Sequence, residues 1–298
     1  MPLPSNESIT ECLAQAKSGS VEAQERALKF LSSLTKISTQ NRNLLAHTHE
    51  AIPIFLSFFS SSSDCLQTLS LSILLNLSLN PNLKSTLATT TTIHQLNSII
   101  LSPSTTTSSS SSHSSKLAAS LVCSLAMLDK NKAVFGIAGT IQVIVKALSN
   151  AGHPAAHHLL SSLFELSQFH GNRTLAIWAG AIPVLVGILE GPDEDLCGSC
   201  LSVLSLFSRY DAGMQEIQGV DGVVELLVDA LARRCMVSRE NAADILVRLF
   251  EDDEDCMREA ILKHDFSSLT ADLSIRGSAK AREKATLLMK MIMEFNLD

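Results

Sequence analysis

The chain has 298 residues, of which 46% are hydrophobic, 18% charged and 4% aromatic, and its net charge is −7. This much apolar sequence predicts a packed core built mainly from aliphatic side chains. The acidic surplus disfavours nucleic acid or an anionic membrane as the main partner, because both attract basic surfaces. No apolar run is long enough to span a membrane, and no signal peptide is visible at the N-terminus, so we expect neither.

Residues 1–20 are predicted to form an N-terminal segment that contains one short helix, from Ile9 to Ala16. Residues 21–298 are predicted to form a single repeat domain. The helix predicted from Ala23 to Ile37 would be the last helix of a truncated first unit. At the other end, Ala281 to Phe295 is predicted to be a more charged helix that caps the array.

A two-residue motif that begins with Ile or Val, which we call the apolar step, recurs along residues 21–298 at intervals of 41, 48, 41 and 41 residues. Its copies are Ile52-Pro53, Ile93-His94, Ile141-Gln142, Ile182-Pro183 and Val223-Val224. A fixed period of about 40 to 47 residues in a helical sequence indicates a solenoid of stacked units. Such arrays commonly bind partners along a concave surface.

The clearest unit begins at Asn172 and contains three predicted helices. Gly180 ends the first helix, because glycine readily adopts the left-handed conformation found there. Pro183 lies in the first turn of the second helix, where its missing N–H costs nothing. The third helix follows the loop 191–195 and carries an apolar stripe. Equivalent third-helix stripes begin at Leu66, Leu117, Leu159, Leu196 and Ala242.

One segment interrupts the period. Residues 102–115 are almost entirely serine and threonine, which cannot build a packed core, so a disordered loop is predicted there. This insertion explains the interval of 48 residues.

The seven cysteines are scattered and odd in number, which favours a reducing compartment. Cys197 and Cys200 have the spacing of a redox or metal pair. A zinc site would need two further ligands, and none is suitably spaced nearby, so we interpret both as core or loop cysteines. No nucleophile-base arrangement or phosphate-binding loop stands out, and we predict no catalytic residue, no metal and no cofactor.

The segment from Asn172 to Leu189, together with the helix end Ile73-Leu-Leu-Asn76-Leu-Ser78, resembles armadillo repeats. The resemblance covers about Val21 to Phe295 and is closest in style to the repeat region of plant U-box ubiquitin ligases. It implies an all-α, right-handed armadillo solenoid of about six units, the first truncated.

In armadillo proteins that bind extended peptides, an asparagine on each third helix contacts the peptide backbone. The matching positions here are Ser33, Asn76, Ser124, Glu165, Ser205 and Arg248. Only Asn76 keeps the asparagine, so the resemblance does not extend to receptors of nuclear localisation signals. We predict that Asn76, Ser124, Glu165, Ser205 and Arg248 line a groove that binds a protein.

The resemblance therefore implies a non-enzymatic adaptor that binds a protein partner in the cytoplasm or nucleus of a plant, with ubiquitin-linked signalling as the expected setting. The alternative is a ubiquitin ligase, or the substrate-recognition subunit of one. Only some 20 residues precede the first repeat helix, so we expect no U-box in this sequence. We expect a monomer, with a self-associating scaffold as a weaker alternative.

Overall fold

The computed structural model of this chain describes residues 6–48, 50–102, 109–150 and 152–295. Within those ranges the regular structure consists of α-helices and one short 3-10 turn, Phe58–Ser60, without any strand. The predicted all-α fold is therefore confirmed. The chain divides into two compact units, residues 1–172 and 173–298, and the boundary falls inside one helix.

The first unit contains eleven complete helices among the described residues. They are α1 Asn6–Ala16, α2 Val21–Ile37, α3 Thr39–His47, α4 Ala51–Ser57, α5 Asp64–Leu77, α6 Pro81–Leu87, α7 Thr90–Leu101, α8 Ser109–Ala126, α9 Asp129–Ile137, α10 Thr140–Leu148 and α11 Ala156–Leu166. The predicted N-terminal helix lies within α1, which packs on α2 and buries Ile9 and Leu13. The segment before the repeats is thus part of the core of the first unit.

The second unit starts within α12 and continues to the end of the described chain. Its helices are α12 His170–Trp178, α13 Ala181–Leu189, α14 Glu194–Phe207, α15 Asp211–Gln218, α16 Val223–Ala232, α17 Met236–Asp252, α18 Glu254–Leu262, α19 Phe266–Arg276 and α20 Ala279–Phe295.

The recurring apolar step marks the start of the second helix in five of the six complete repeats. It falls near the N-terminus of α4, α7, α10, α13 and α16. Four of these helices follow a residue in the left-handed region, with φ between 66° and 77°. These residues are Glu50, Gly139, Gly180 and Gly222. Glycine adopts this conformation without steric cost, which explains why it stands at three of the four turns.

The described helices form one more repeat than the apolar step reveals. After α1 and α2, they group into six complete sets of three, from α3–α5 to α18–α20. The additional set is α18–α20, of which only the last helix is predicted from the sequence. Its second helix begins at Phe266 and lacks a copy of the apolar step, so periodicity alone does not locate it.

The third helices stack on one another within each unit. In the first unit α5 packs between α2 and α8, and α8 packs between α5 and α11. In the second unit α17 packs between α14 and α20. Fully buried apolar residues lie at or next to the C-terminal ends of α5, α8, α11 and α14, namely Leu77, Leu125, Leu166 and Phe207. Burying a leucine or phenylalanine contributes about 2 kcal/mol each, so this stack supplies much of the stability.

Asparagine side chains tie the first helix of one repeat to the repeat before it. Asn131 Nδ2 donates to the main-chain oxygens of Leu125 at 2.9 Å and of Lys84 at 3.1 Å. Leu125 lies in the last turn of α8, where carbonyl groups lack a partner within the helix. The asparagine thus satisfies the end of the third helix and joins it to the preceding first helix.

The predicted loop at 102–115 is wrong in its second half. Ser109 to Ser115 belong to α8, while residues 103–108 lie outside the described residues and Ser102 follows the end of α7. Ser114 and Ser115 are buried, and the Ser114 hydroxyl lies 2.7 Å from the Thr68 hydroxyl of α5. Ser114 is tolerated there because the Thr68 hydroxyl on the facing helix forms a hydrogen bond with it, which composition alone does not show.

Candidate functional site

Asn76, Ser124 and Glu165 lie in one row on the third helices of the first unit. Each immediately precedes a buried leucine in the last turn of α5, α8 or α11, so helix geometry places all three at the same edge of the stack. All three are half-buried, which leaves part of each side chain open to solvent. The structure therefore places these three predicted residues at one edge of the stack, and their binding of a protein stays a prediction.

Asn76 and Ser124 each contact the preceding repeat, and Glu165 contacts the first helix of its own repeat. Asn76 Nδ2 donates to Thr35 Oγ1 on α2 at 3.0 Å. The hydroxyls of Ser124 and Ser78 lie 2.7 Å apart and share a hydrogen bond between α8 and the end of α5. The Glu165 carboxylate accepts Lys132 Nζ of α9 at 2.8 Å. These contacts hold the three side chains of the row in place.

Two buried lysines lie beneath the row, and sequence reasoning missed both. Lys84 is 8% exposed and donates its ammonium to the main-chain oxygen of Ser124. Burial lowers the pKa of Lys84, because the charged form is poorly solvated there. For Lys132 a signal was present, since a basic residue directly follows the repeat asparagine in Asn131-Lys132 and Asn172-Arg173, whereas Lys84 follows Leu83.

The second lysine, Lys132, is compensated by two carboxylates. It is 6% exposed, and its Nζ lies 2.9 Å from Asp129 Oδ1 and 2.8 Å from Glu165 Oε1. Burial acts to lower the pKa of Lys132, but its hydrogen bonds to the two carboxylates outweigh that effect and raise it. This part of the first unit therefore carries one lysine between two acids.

In the second unit, Ser205 and Arg248 meet at a third residue. Ser205 Oγ donates to Asp244 Oδ2 at 2.8 Å, and Arg248 Nε lies 3.6 Å from the same oxygen. Ser205 itself is buried, so its hydroxyl serves the protein interior. Arg248 is the more accessible of the two predicted residues.

Ser205 is one residue out of register with Glu165. Asn172 Nδ2 donates to the main-chain oxygen of Leu166. Gly213, 41 residues after Asn172, lies close to the main-chain oxygen of Phe207, which is 41 residues after Leu166. The residue that corresponds to Glu165 is therefore Leu206, which is buried. The sixth matched position, Ser33, is exposed and donates to the oxygen of Lys29 within its own helix.

Basic side chains from three parts of the second unit lie around Asp244. Lys284 Nζ of α20 lies 2.9 Å from Asp244 Oδ1, and Arg209 Nη2, which follows α14, lies 3.8 Å from Asp244 Oδ2. Burial acts to raise the pKa of Asp244, but hydrogen bonds from Lys284 and Ser205 prevail and lower it. Sequence reasoning did not single out Asp244, because its partners are about one repeat away along the chain.

Cys197 and Cys200 are both fully buried on α14, in agreement with their interpretation as core cysteines. Burial raises the pKa of Cys200 to about 12. Among the described residues, no group of three or more His, Cys, Asp and Glu side chains is arranged to hold a metal ion. Likewise, no single helix in the described ranges is long and apolar enough to cross a membrane.

Comparison with known proteins identifies what this arrangement resembles. The profile of the family described as the plant U-box protein ARM repeat region matches residues 8–296. U-box domain-containing protein 8 of Arabidopsis thaliana is 27% identical over 283 residues, which cover 93% of this chain and 71% of the relative. U-box domain-containing protein 1 of Medicago truncatula is 27% identical over 126 residues, 41% of this chain but only 18% of that protein.

Solved structures agree on the fold. The designed armadillo repeat protein YIII(Dq)4CqI superposes with a TM-score of 0.70 at 16% identity, covering 81% of this chain and 99% of that one. A related design, solved in complex with the peptide (KR)4, also gives a TM-score of 0.70, at 15% identity, with 81% and 99% of the two chains covered. The fold is thus an all-α armadillo solenoid.

Proposed function

Because this chain belongs to the family of plant U-box protein ARM repeat regions, we propose that it is a non-enzymatic scaffold that binds a protein partner along its third helices. The observation that carries the proposal is the row of half-buried polar side chains at one-repeat spacing, Asn76, Ser124 and Glu165. A partner in extended conformation would meet one such side chain from each repeat.

These side chains retain hydrogen-bonding capacity for a partner. An asparagine amide offers two donors and two acceptor lone pairs, and Asn76 uses one donor on Thr35. A carboxylate accepts up to about four hydrogen bonds, and Lys132 is the ion-pair partner found for Glu165. In the second unit, Arg248 presents the more open side chain, whereas Ser205 supports the surface by holding Asp244.

Proximity labelling in plant cells with the wild type and a triple variant, Asn76→Ala/Ser124→Ala/Glu165→Gln, tests the proposal. A matched control is Asn150→Ala/Ser98→Ala/Glu190→Gln, which makes the same chemical changes at exposed residues outside the third helices. We expect the set of labelled partners to shrink in the first variant and to persist in the control. An unchanged set in both, with both proteins folded by circular dichroism, would remove the third-helix surface as the binding site.

The finer part of the proposal is that the partner belongs to ubiquitin-linked signalling in plants. Its support is the match to two proteins that are named for a U-box domain. The alternative function is that of a ubiquitin ligase or a substrate-recognition subunit of one. An in vitro ubiquitination assay with the purified chain and a panel of conjugating enzymes separates the two, because autoubiquitination would defeat the non-enzymatic proposal.

We further propose the cytosol or nucleus as the compartment and a monomer as the working form. All seven cysteines are free thiols, which suits a reducing compartment. Imaging a fluorescent fusion tests the first point, and size-exclusion chromatography with light scattering tests the second.

A further inference from the structure

The surroundings of Asp244 carry an excess of positive charge. Three cationic groups lie within 4 Å of this single carboxylate, which is 7% exposed. We call the set of Arg209, Arg248, Lys284 and Asp244 the Asp244 cluster. With three positive groups and one negative group its net charge is about +2, since carboxylates and basic side chains are ionised near neutral pH. The whole chain, in contrast, carries −7.

Neighbouring acidic side chains do not neutralise the cluster. Glu240, one turn before Asp244, accepts the Ser278 hydroxyl and lies 3.8 Å from Lys280. Glu251 and Asp252 lie further along α17, and neither forms an ion pair with the cluster in the part of the chain that the structure describes. The first unit differs, because there Lys132 is balanced by two carboxylates.

The two guanidinium groups of the cluster have N–H groups that are not used in hydrogen bonds within the described residues. Arg248 Nε is buried and makes no hydrogen bond in the described residues. Arg209 lies beyond hydrogen-bonding distance of Asp244, and no other acceptor for it is found there. The side chains of Arg209 and Arg248 are 53% and 31% exposed, so both can be reached from solvent. A guanidinium presents its N–H groups as a planar fork that fits a carboxylate or a phosphate.

We propose that the Asp244 cluster is an anion subsite that binds an acidic side chain of the partner protein, a carboxylate or a phosphorylated residue. This inference rests on the proposed function, because it assigns a charge to the partner segment that lies on the third helices. Arg209 and Arg248 contact the anion, while Asp244 positions both arginines and Lys284. A long polyanion such as nucleic acid fits less well, because the acidic run 251–255 begins at the end of the same helix, α17, and continues into α18.

The test uses the full chain and three fluorescent peptides of equal length at low ionic strength. The probes are (Glu)8, an alternating Ser-phosphoserine octamer and (Lys-Arg)4. The net charge of −7 would by itself favour the basic peptide, so preference for an acidic probe reports a local site. We expect both acidic peptides to bind more tightly than (Lys-Arg)4, and the tighter of the two identifies carboxylate or phosphate as the preferred group.

The decisive variant is Arg209→Gln/Arg248→Gln, in which Lys284 and Ser205 still hold Asp244. We expect its affinity for the acidic peptides to fall by about tenfold or more, as for the loss of one or two charge-assisted hydrogen bonds. The matched control is Arg276→Gln/Lys290→Gln, which removes the same charge from exposed positions and should change affinity less than about twofold. Arg209→Lys/Arg248→Lys keeps the charge and loses the fork, so it should restore only part of the binding.

Preference of the wild type for (Lys-Arg)4, absence of binding to either acidic peptide, or equal losses in the two double variants would each overturn the anion subsite. The proposed scaffold function fails separately. It is lost if the variant of Asn76, Ser124 and Glu165 keeps every labelled partner, whatever the peptides do. Conversely, the triple variant could lose partners while Arg209→Gln/Arg248→Gln binds (Glu)8 as well as the wild type does. That result would reject the anion subsite and retain the scaffold function.

Discussion

The side-chain amide of Asn172 donates a hydrogen bond of 2.8 Å to the main-chain oxygen of Lys132, which lies in the first helix of the preceding repeat and 40 residues away along the chain. The same nitrogen donates to the oxygen of Leu166 at 3.1 Å. Asn172 is 1% exposed, so water cannot replace it at either carbonyl. The asparagine that opens the repeat motif is thus a structural clamp between successive repeats.

Replacing Asn172 with alanine should lower the free energy of unfolding by about 2 to 3 kcal/mol, because two buried carbonyls lose their donor. Urea unfolding followed by circular dichroism measures the change. Asn150→Ala is the control, since Asn150 is exposed and should shift stability by less than about 0.5 kcal/mol. Similar losses in the two variants would contradict the clamp.

Gly213 occupies the corresponding position in the next repeat and tolerates no side chain. A Cβ there would lie 2.4 Å from the main-chain oxygen of Phe207, so Gly213→Ala should destabilise the protein by about 2 kcal/mol or more. At Gly187 in α13, a Cβ would meet nothing within 4 Å. Gly187→Ala should therefore stabilise the helix by about 0.5 to 1 kcal/mol. Thermal unfolding of the two variants should move in opposite directions.

Asp244→Asn should destabilise the protein at pH 7 by about 3 kcal/mol, because it leaves three cations without their carboxylate. The folded pKa of Asp244 is lowered, so its stabilising effect is fully present above the unfolded aspartate pKa of about 4. The effect is lost as the pH falls through the lower folded pKa. Unfolding of wild type and variant from pH 7 to pH 2 should show the two stabilities converging in acid, and a constant difference would contradict this role.

Cys200 should resist alkylation in the folded protein. Its pKa of about 12, raised by burial, leaves only about one part in ten thousand as thiolate at pH 8. Iodoacetamide labelling followed by peptide mass spectrometry should modify half-buried Cys235 well before Cys200. In urea both should react at similar rates, which serves as the control. Labelling of Cys200 at the rate of Cys235 in the native state would show that α14 is not packed as described.

Sequence reasoning could reach the row Asn76, Ser124 and Glu165, because each precedes a buried leucine at a fixed place in a strongly periodic helix. It failed by one residue at Ser205, since two residues of the stripe, Val203 and Leu204, are adjacent and do not define the register. It also missed the first two helices of the last repeat, where Phe266 stands without the usual apolar step. The serine-rich composition predicted a loop at Ser114, which is wrong because the Ser114 hydroxyl forms a hydrogen bond with Thr68 on the facing helix.

The amino-acid sequence by itself determined the repeat, the helical class and the family, because periodic apolar residues and the turn glycines act within one repeat. Only the tertiary structure decided which charges meet. Asp244 lies 40 residues from Lys284 and 39 from Ser205, and such residues become neighbours only when third helices stack. A local sequence pattern does not reveal a side chain that lies one repeat away along the chain. Such side chains nevertheless decide whether a buried charge is neutralised, as at Lys132, or surrounded by an excess of positive charge, as at Asp244.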